Sequence, residues 1–146
     1  MLRSIKNYFF SAFREVFVYH HSSLEFRAKT YAVLIASSHE SLHQYQDTLE
    51  KIASEIYTES DRADALVLTV KEYIKSIQSK KYMGEEPLLI DVIRELRQVP
   101  RYALKIEPEH LTRLQECTND MDSKVYQKRL IDFLNQKRLE YRELKR

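Results

Sequence analysis

The stretch of this sequence with the clearest chemical potential is HESLH, which places His39, Glu40 and His43 in the order H-E-x-x-H. On a helix, two histidines at this spacing lie one turn apart and can bind zinc. The glutamate between them then takes a proton from the metal-bound water. These three residues therefore define the enzymatic hypothesis for this chain, a small zinc-dependent hydrolase with Glu40 as its catalytic residue.

The residues around this motif favour a different interpretation. Ser41 directly follows the glutamate, at a position where zinc peptidases normally carry a bulky apolar residue. Three acidic residues downstream are candidate third ligands, but they belong to no recognisable motif: Glu55, Glu59 and Asp64. The sequence also contains no convincing strand to hold an extended substrate. We therefore predict that both histidines lie on the surface at a helix start, with no catalytic residue, metal site or cofactor.

Composition indicates how the chain must fold around these residues. A chain of 146 residues fits a single helical domain spanning 1–146. It contains one glycine and three prolines, and its apolar residues recur at every third or fourth position. This pattern predicts an all-α fold, a compact bundle of about seven helices. The lone Cys117 forms no internal disulfide, which agrees with a cytoplasmic location.

Helix ends are predicted from capping residues, prolines and the single glycine. Ser22 and Glu25 form a capping box before the second helix, and the sequence TESD from Thr58 caps the fourth. Gly84 suits a turn. Pro87 and Pro108 fit the first turns of the fifth and sixth helices, and Pro100 closes the fifth. The apolar rhythm of residues 31–56 leaves open whether the second and third helices are continuous.

The last helix is predicted to begin near residue 122, after caps supplied by TNDMD. Its apolar residues are expected to be buried: Val125, Leu130, Phe133 and Leu134. Residues 136–146 are mostly charged and are expected to leave the core as a helical tail. Basic residues alternate with glutamate there and lack an aromatic platform, so nucleic-acid binding ranks third among the functional hypotheses.

Residues 1–21 carry more apolar surface than a narrow helix stripe requires. Charged residues interrupt them before a signal-peptide core or a membrane span reaches its usual length. They are predicted to form an amphipathic helix that packs on the bundle, the alternative being peripheral contact with a membrane or a partner. Four phenylalanines of this helix are the predicted interaction residues: Phe9, Phe10, Phe13 and Phe17.

The stretch ALKIEPEHLTRL, residues 103–114, resembles the second loop and following helix of the tellurite-resistance TerB family. Ile106, Pro108 and Glu109 look like the later part of that pattern. The corresponding first loop is ASSHESLHQ, which begins at residue 36. The resemblance covers roughly residues 24–135 and implies an all-helical fold of two related halves, also found beside the J domain of a DnaJ-like co-chaperone.

This chain departs from the TerB pattern where that family has its two Asp-Gly pairs. Ser37 and Ser38 occupy the first pair, and Ala103 and Leu104 occupy the second. Because hard cations need several oxygen ligands, the metal binding associated with the family is not expected here. The resemblance therefore implies a non-enzymatic interaction or scaffold module with a protein partner, placed near the membrane in a stress response.

Overall fold

The computed structural model describes residues 22–79 and 84–144. Within these two ranges all the regular structure is helical, which confirms the predicted all-α fold. The helix predicted for residues 1–21, with its four phenylalanines, lies outside the described residues. In the described ranges no helix is long and apolar enough to cross a membrane.

Six α-helices and two short 3₁₀ helices follow one another in the described ranges. They are α1 (Ser22–Ala36), a 3₁₀ helix (Leu42–Tyr45), α2 (Gln46–Ile56), α3 (Ser60–Gln78), α4 (Glu86–Gln98), a second 3₁₀ helix (Pro100–Lys105), α5 (Pro108–Gln115) and α6 (Met121–Leu144). The turn at residues 37–40 separates α1 from the next helices, so the second and third predicted helices are not continuous.

Helix α1 forms the centre of the bundle, in contact with α3, α4, α5, α6 and the second 3₁₀ helix. Its apolar residues are buried around its whole circumference: Leu24, Phe26, Ala28, Tyr31, Ala32, Val33, Leu34 and Ile35. A helix that is apolar on all sides is stable only when other elements cover every side. Each fully buried large side chain contributes about 1.5–3 kcal/mol through the hydrophobic effect, so α1 contributes substantially to core stability.

Most of the predicted helix ends are found in the structure. Gly84 has a φ of 104°, a left-handed conformation that glycine adopts without strain. Pro87 lies in the first turn of α4, and α5 begins at Pro108. The prediction for α3 is wrong, since Glu59 and not Thr58 precedes its first residue. The carbonyl of Glu59 accepts the amides of Arg62 and Ala63, so the backbone alone closes the first turn.

Helix α6 places a different stripe against the core from the one predicted. Leu130 and Leu134 are buried as expected, but Val125 and Phe133 are exposed. The buried stripe instead runs through Gln127, whose side-chain amide donates to the carbonyl of Leu34 at 3.0 Å. The sequence prediction selected apolar residues only, so it missed the buried Ser123 and Gln127 and included the exposed Val125 and Phe133.

The end of α6 also differs from the expectation that residues 136–146 leave the core. The helix continues to Leu144, and Tyr141 within it is buried. Tyr141 lies seven residues after Leu134, two helical turns further along the same face. The charged residues of the tail therefore surround an aromatic residue that continues the buried stripe.

Candidate functional site

The HESLH stretch lies in a turn and not on one continuous α-helix. His39 and Glu40 belong to the turn after α1, and Ser41 is the N-cap of the first 3₁₀ helix. The Ser41 hydroxyl accepts the amide of His43 at 3.2 Å. The serine that departs from the peptidase pattern thus starts a new helix between the two histidines. Because zinc binding by H-E-x-x-H requires an unbroken α-helical turn, this geometry does not provide that site.

The carboxylate of Glu40 serves as a cap for α6, the last helix. It accepts the amide of Asn119 at 2.9 Å and 3.0 Å and the amide of Asp120 at 2.9 Å. The side-chain amide of Gln44 donates to it at 3.1 Å. A negative charge before a helix N-terminus is stabilised by free amides and by the helix dipole. Glu40, the general base of the hydrolase hypothesis, therefore connects the turn after α1 to the residues that precede α6.

A buried hydroxyl cluster strengthens the same connection. The Tyr45 hydroxyl lies 2.8 Å from Ser38 Oγ and 2.7 Å from Thr118 Oγ1, and all three side chains are buried. The side-chain amide of Gln44 also donates to the carbonyl of Cys117 at 3.4 Å. We call residues 38–45 together with 117–120 the capping junction. Buried polar groups that satisfy one another in this way fix the relative positions of two chain segments.

A cleft of about 450 Å³ opens beside the capping junction. Its lining includes two serines, a histidine, a tyrosine and three acidic residues: Ser37, His39, Glu85, Asp120, Asp122, Ser123 and Tyr126. Asp120 Oδ2 accepts both the amide of Ser123 at 2.9 Å and its hydroxyl at 2.7 Å. These hydrogen bonds hold the pKa of the Asp120 carboxyl below its ordinary value, and His39 lowers it further.

Neither serine in this cleft is arranged as a nucleophile, and the Ser37 hydroxyl donates to the backbone carbonyl of Leu34 at 2.6 Å. Nucleophilic catalysis by serine requires a histidine that accepts the hydroxyl proton and an acid that orients the histidine. The Ser123 hydroxyl instead donates directly to Asp120, and Ser123 is buried at the start of α6. This pair has the geometry of a helix cap, as the sequence predicted for the aspartates of TNDMD.

The second loop singled out in the sequence is also tied into the fold. Glu107 Oε1 pairs with the buried Arg27 of α1 at 2.7 Å, and Glu107 Oε2 lies 3.3 Å from His110 Nδ1. The same His110 nitrogen lies 3.4 Å from the hydroxyl of Tyr31. Burial raises the pKa of Tyr31, so this hydroxyl remains protonated. In the described ranges, no group of three or more His, Cys, Asp or Glu side chains is placed to hold a metal ion.

An apolar groove between α4 and α6 lies on a different part of the surface. It has a volume of about 380 Å³ and is lined by Glu86, Leu89, Ile90, Ile93, Arg94, Arg97 and Phe133. Ile90 is 52% exposed and Phe133 is 37% exposed. The ammonium group of Lys137 lies 5.7 Å from the centre of the Phe133 ring. Exposed apolar residues that share a groove are typical of a binding surface.

Sequence reasoning missed the α4–α6 groove because periodicity alone does not show which apolar residues of α4 remain exposed once the helices pack. Only Leu88, Val92 and Leu96 are fully buried there. Leu89, Ile90 and Ile93 form a second stripe beside them. The detectable signal was the width of the apolar surface of α4, which exceeds what a single buried stripe requires.

Comparison with known proteins gives no match: no family model, no curated protein and no solved structure is significantly similar to this chain.

Proposed function

We propose that this chain is a non-enzymatic helical interaction module whose binding face is the α4–α6 groove. The observation that carries the proposal is the exposure of Ile90 and Phe133 in one groove. The resemblance of its two loops to the TerB pattern suggests the same class of function, a scaffold acting near the membrane in a stress response. Its partner in this proposal is a protein.

The composition of the groove supports protein recognition. Protein interfaces combine an apolar centre with a polar rim, and aromatic residues and arginine are enriched in them. The groove has this order, with isoleucine, leucine and phenylalanine side chains between Glu86 at one end and Arg97 at the other. Covering the exposed parts of Ile90 and Phe133 gains about 25 cal/mol for each square ångström of apolar surface removed from water.

The hydrolase hypothesis receives less support from the geometry. Glu40 accepts two backbone amides, and the two histidines are separated by the start of a 3₁₀ helix. A general base must be able to approach a bound water or substrate. An interaction surface requires only accessible groups of suitable chemistry, and the α4–α6 groove provides these.

Photo-crosslinking in cells tests the proposed binding face. A benzoylphenylalanine at position 90 should yield discrete covalent adducts on irradiation, because this side chain faces the groove. The matched control places the same photo-reactive residue at Lys51, an exposed position of α2. Discrete adducts at position 90 and not at position 51 would support the proposal. Identical adduct patterns at both positions would contradict it.

A further inference from the structure

Helix α4 presents a stripe whose charges are opposite at its two ends. Residues 86, 90, 93 and 97 are spaced by four, three and four, so they lie along one face of the helix. Glu86 and Arg97 end this stripe, and both are exposed. Ile90 and Ile93 lie between them, with Leu89 and Arg94 on either side in the same groove. The stripe therefore reads acid, apolar, apolar, base from its N-terminal end.

From this order we infer that a second copy of this chain binds in the α4–α6 groove, with the two α4 helices antiparallel. This inference rests on the proposed function and names the partner. A twofold axis midway along the stripe would bring Glu86 opposite Arg97 of the partner subunit. The same axis would bring Ile90 opposite Ile93 of the partner subunit. A twofold interface uses the same patch on both subunits, so a patch that binds its own copy must complement itself under this rotation.

The charges favour this partner over other occupants of the groove. The twofold arrangement forms two Glu–Arg pairs and leaves the apolar pairs between them. Arginine is suited to such interface pairs because its guanidinium binds a carboxylate in a planar, bidentate manner. By contrast, the N-terminal segment of the same chain carries three basic residues and one acid, Glu15. It therefore offers a single carboxylate to the two arginines of the groove, Arg94 and Arg97.

The twofold arrangement also makes use of α6. Phe133 lies in the groove and its exposed ring lies beside the apolar stripe of α4. Ile90 of the partner subunit would then enter the space between α4 and Phe133. Interlocking of side-chain ridges with grooves is the usual packing of two helices in contact. The dimer would thereby cover the exposed surface of Ile90 in both subunits.

Charge reversal with rescue tests this inference on the full-length protein. Glu86→Arg places two arginines opposite each other at both ends of the interface, and Arg97→Glu places two glutamates there. Each single variant should weaken self-association by about tenfold, measured by sedimentation velocity over a concentration series. The double variant Glu86→Arg/Arg97→Glu restores opposite charges and should recover the association of the unmodified chain.

Mixing the two single variants gives a second, independent rescue. In the mixed pair both contacts join opposite charges, so an equimolar mixture should associate more strongly than either variant alone. Glu50→Arg makes the same substitution on the exposed part of α2 and should leave association unchanged. Circular dichroism checks that every variant remains helical.

The following outcomes would overturn the inference. The unmodified chain could remain monomeric up to about 1 mM, a concentration at which even a weakly held dimer forms. The single variants could associate as the unmodified chain does, or neither rescue could restore association. Adducts of position 90 with another protein, in a chain that stays monomeric, would retain the proposed function and remove only this partner. An adduct of position 90 with residues 1–21 of the same chain would also overturn it.

Discussion

The capping junction and the α4–α6 groove differ in whether their side chains have partners within the fold. In the junction, Glu40, Tyr45 and Asp120 all bind polar partners within the fold. In the groove, Ile90 and Phe133 leave apolar surface in contact with solvent. The junction contains residue types typical of catalysis, and the groove contains residue types typical of a core. The contacts of a side chain and its exposure to solvent, more than its residue type, distinguish a structural region from a binding surface.

The same difference has an energetic consequence. A buried polar group that loses its partner costs about 1–3 kcal/mol, because water cannot replace the lost hydrogen bond. An exposed apolar side chain contributes little to folding, since it is in contact with water in both the folded and the unfolded state. Substitutions in the junction should therefore change stability, and substitutions in the groove should change association.

The largest effect is expected for Tyr45→Ala in the junction. Tyr45 is fully buried, and its removal leaves a cavity and two hydroxyl groups without their tyrosine partner. The substitution should lower the free energy of unfolding by about 3–5 kcal/mol, measured by urea denaturation. Tyr45→Phe keeps the ring and should cost about 1 kcal/mol. If both variants unfolded at the urea concentration of the unmodified chain, the junction would not be a source of stability.

A smaller effect is expected for Glu40→Ala. This change removes the acceptor for the amides of Asn119 and Asp120 before α6. By analogy with the loss of a helix cap, it should cost about 0.5–2 kcal/mol. Ser41→Ala removes the cap of the neighbouring 3₁₀ helix and serves as a local comparison. A Glu40 variant as stable as the unmodified chain, but deficient in a hydrolytic activity, would instead favour the catalytic hypothesis.

Asp120 should make the junction sensitive to acid. Its pKa is lower in the folded protein than its ordinary value of 3.8, chiefly because Ser123 donates to it. The unfolded chain therefore takes up this proton first as the pH falls. The stabilisation is present above pH 3.8 and is lost as the pH falls through the lower folded pKa. Asp120→Asn should be less stable than the unmodified chain at neutral pH, with the difference shrinking below pH 3.8.

Urea denaturation of both proteins across this pH range measures the Asp120 effect. Asp132→Asn provides the control, since this exposed aspartate of α6 pairs with Lys128 one turn away on the same helix. We expect the free energies of unfolding of Asp120→Asn and the unmodified chain to converge at low pH. A difference between them that grew at low pH would contradict this expectation.

In the groove, Ile90→Gln should change the free energy of unfolding by no more than about 0.5 kcal/mol. The reason is that the Ile90 side chain is already 52% exposed. The same variant should lose the self-association proposed for this face, because a polar amide replaces the central apolar contact. Val92→Gln, at a fully buried position of the same helix, should be strongly destabilised. Equal destabilisation of the two variants would mean that Ile90 belongs to the core.

The smallest effect is expected for His43→Ala. The imidazole is on the exposed side of the first 3₁₀ helix, and the His43 amide makes the capping hydrogen bond to Ser41. The variant should keep the stability of the unmodified chain within about 0.5 kcal/mol. Elemental analysis of both proteins, purified without a tag, should show no stoichiometric zinc. One zinc per chain, lost in this variant, would restore the metalloenzyme hypothesis.

Local signals in the sequence predicted much of the fold. The spacing of apolar residues at three and four predicted helices, and Gly84, Pro87 and Pro108 predicted where several begin. These signals depend on neighbours within one helical turn, so they can be detected without a tertiary structure. The face of α6 was predicted less well, because Gln127 occupies a core position that only its bond to Leu34 explains.

The sequence by itself thus determined that the chain is helical, where most of its helices begin and which three residues resemble a zinc motif. Only the tertiary structure decided what those residues do. Glu40 and Asn119 are 79 residues apart in the chain and adjacent in space. The exposure of Ile90 likewise depends on how α4 packs against α1 and lies beside α6. Periodicity is a property of neighbours along the chain, whereas partners and exposure depend on how distant segments pack.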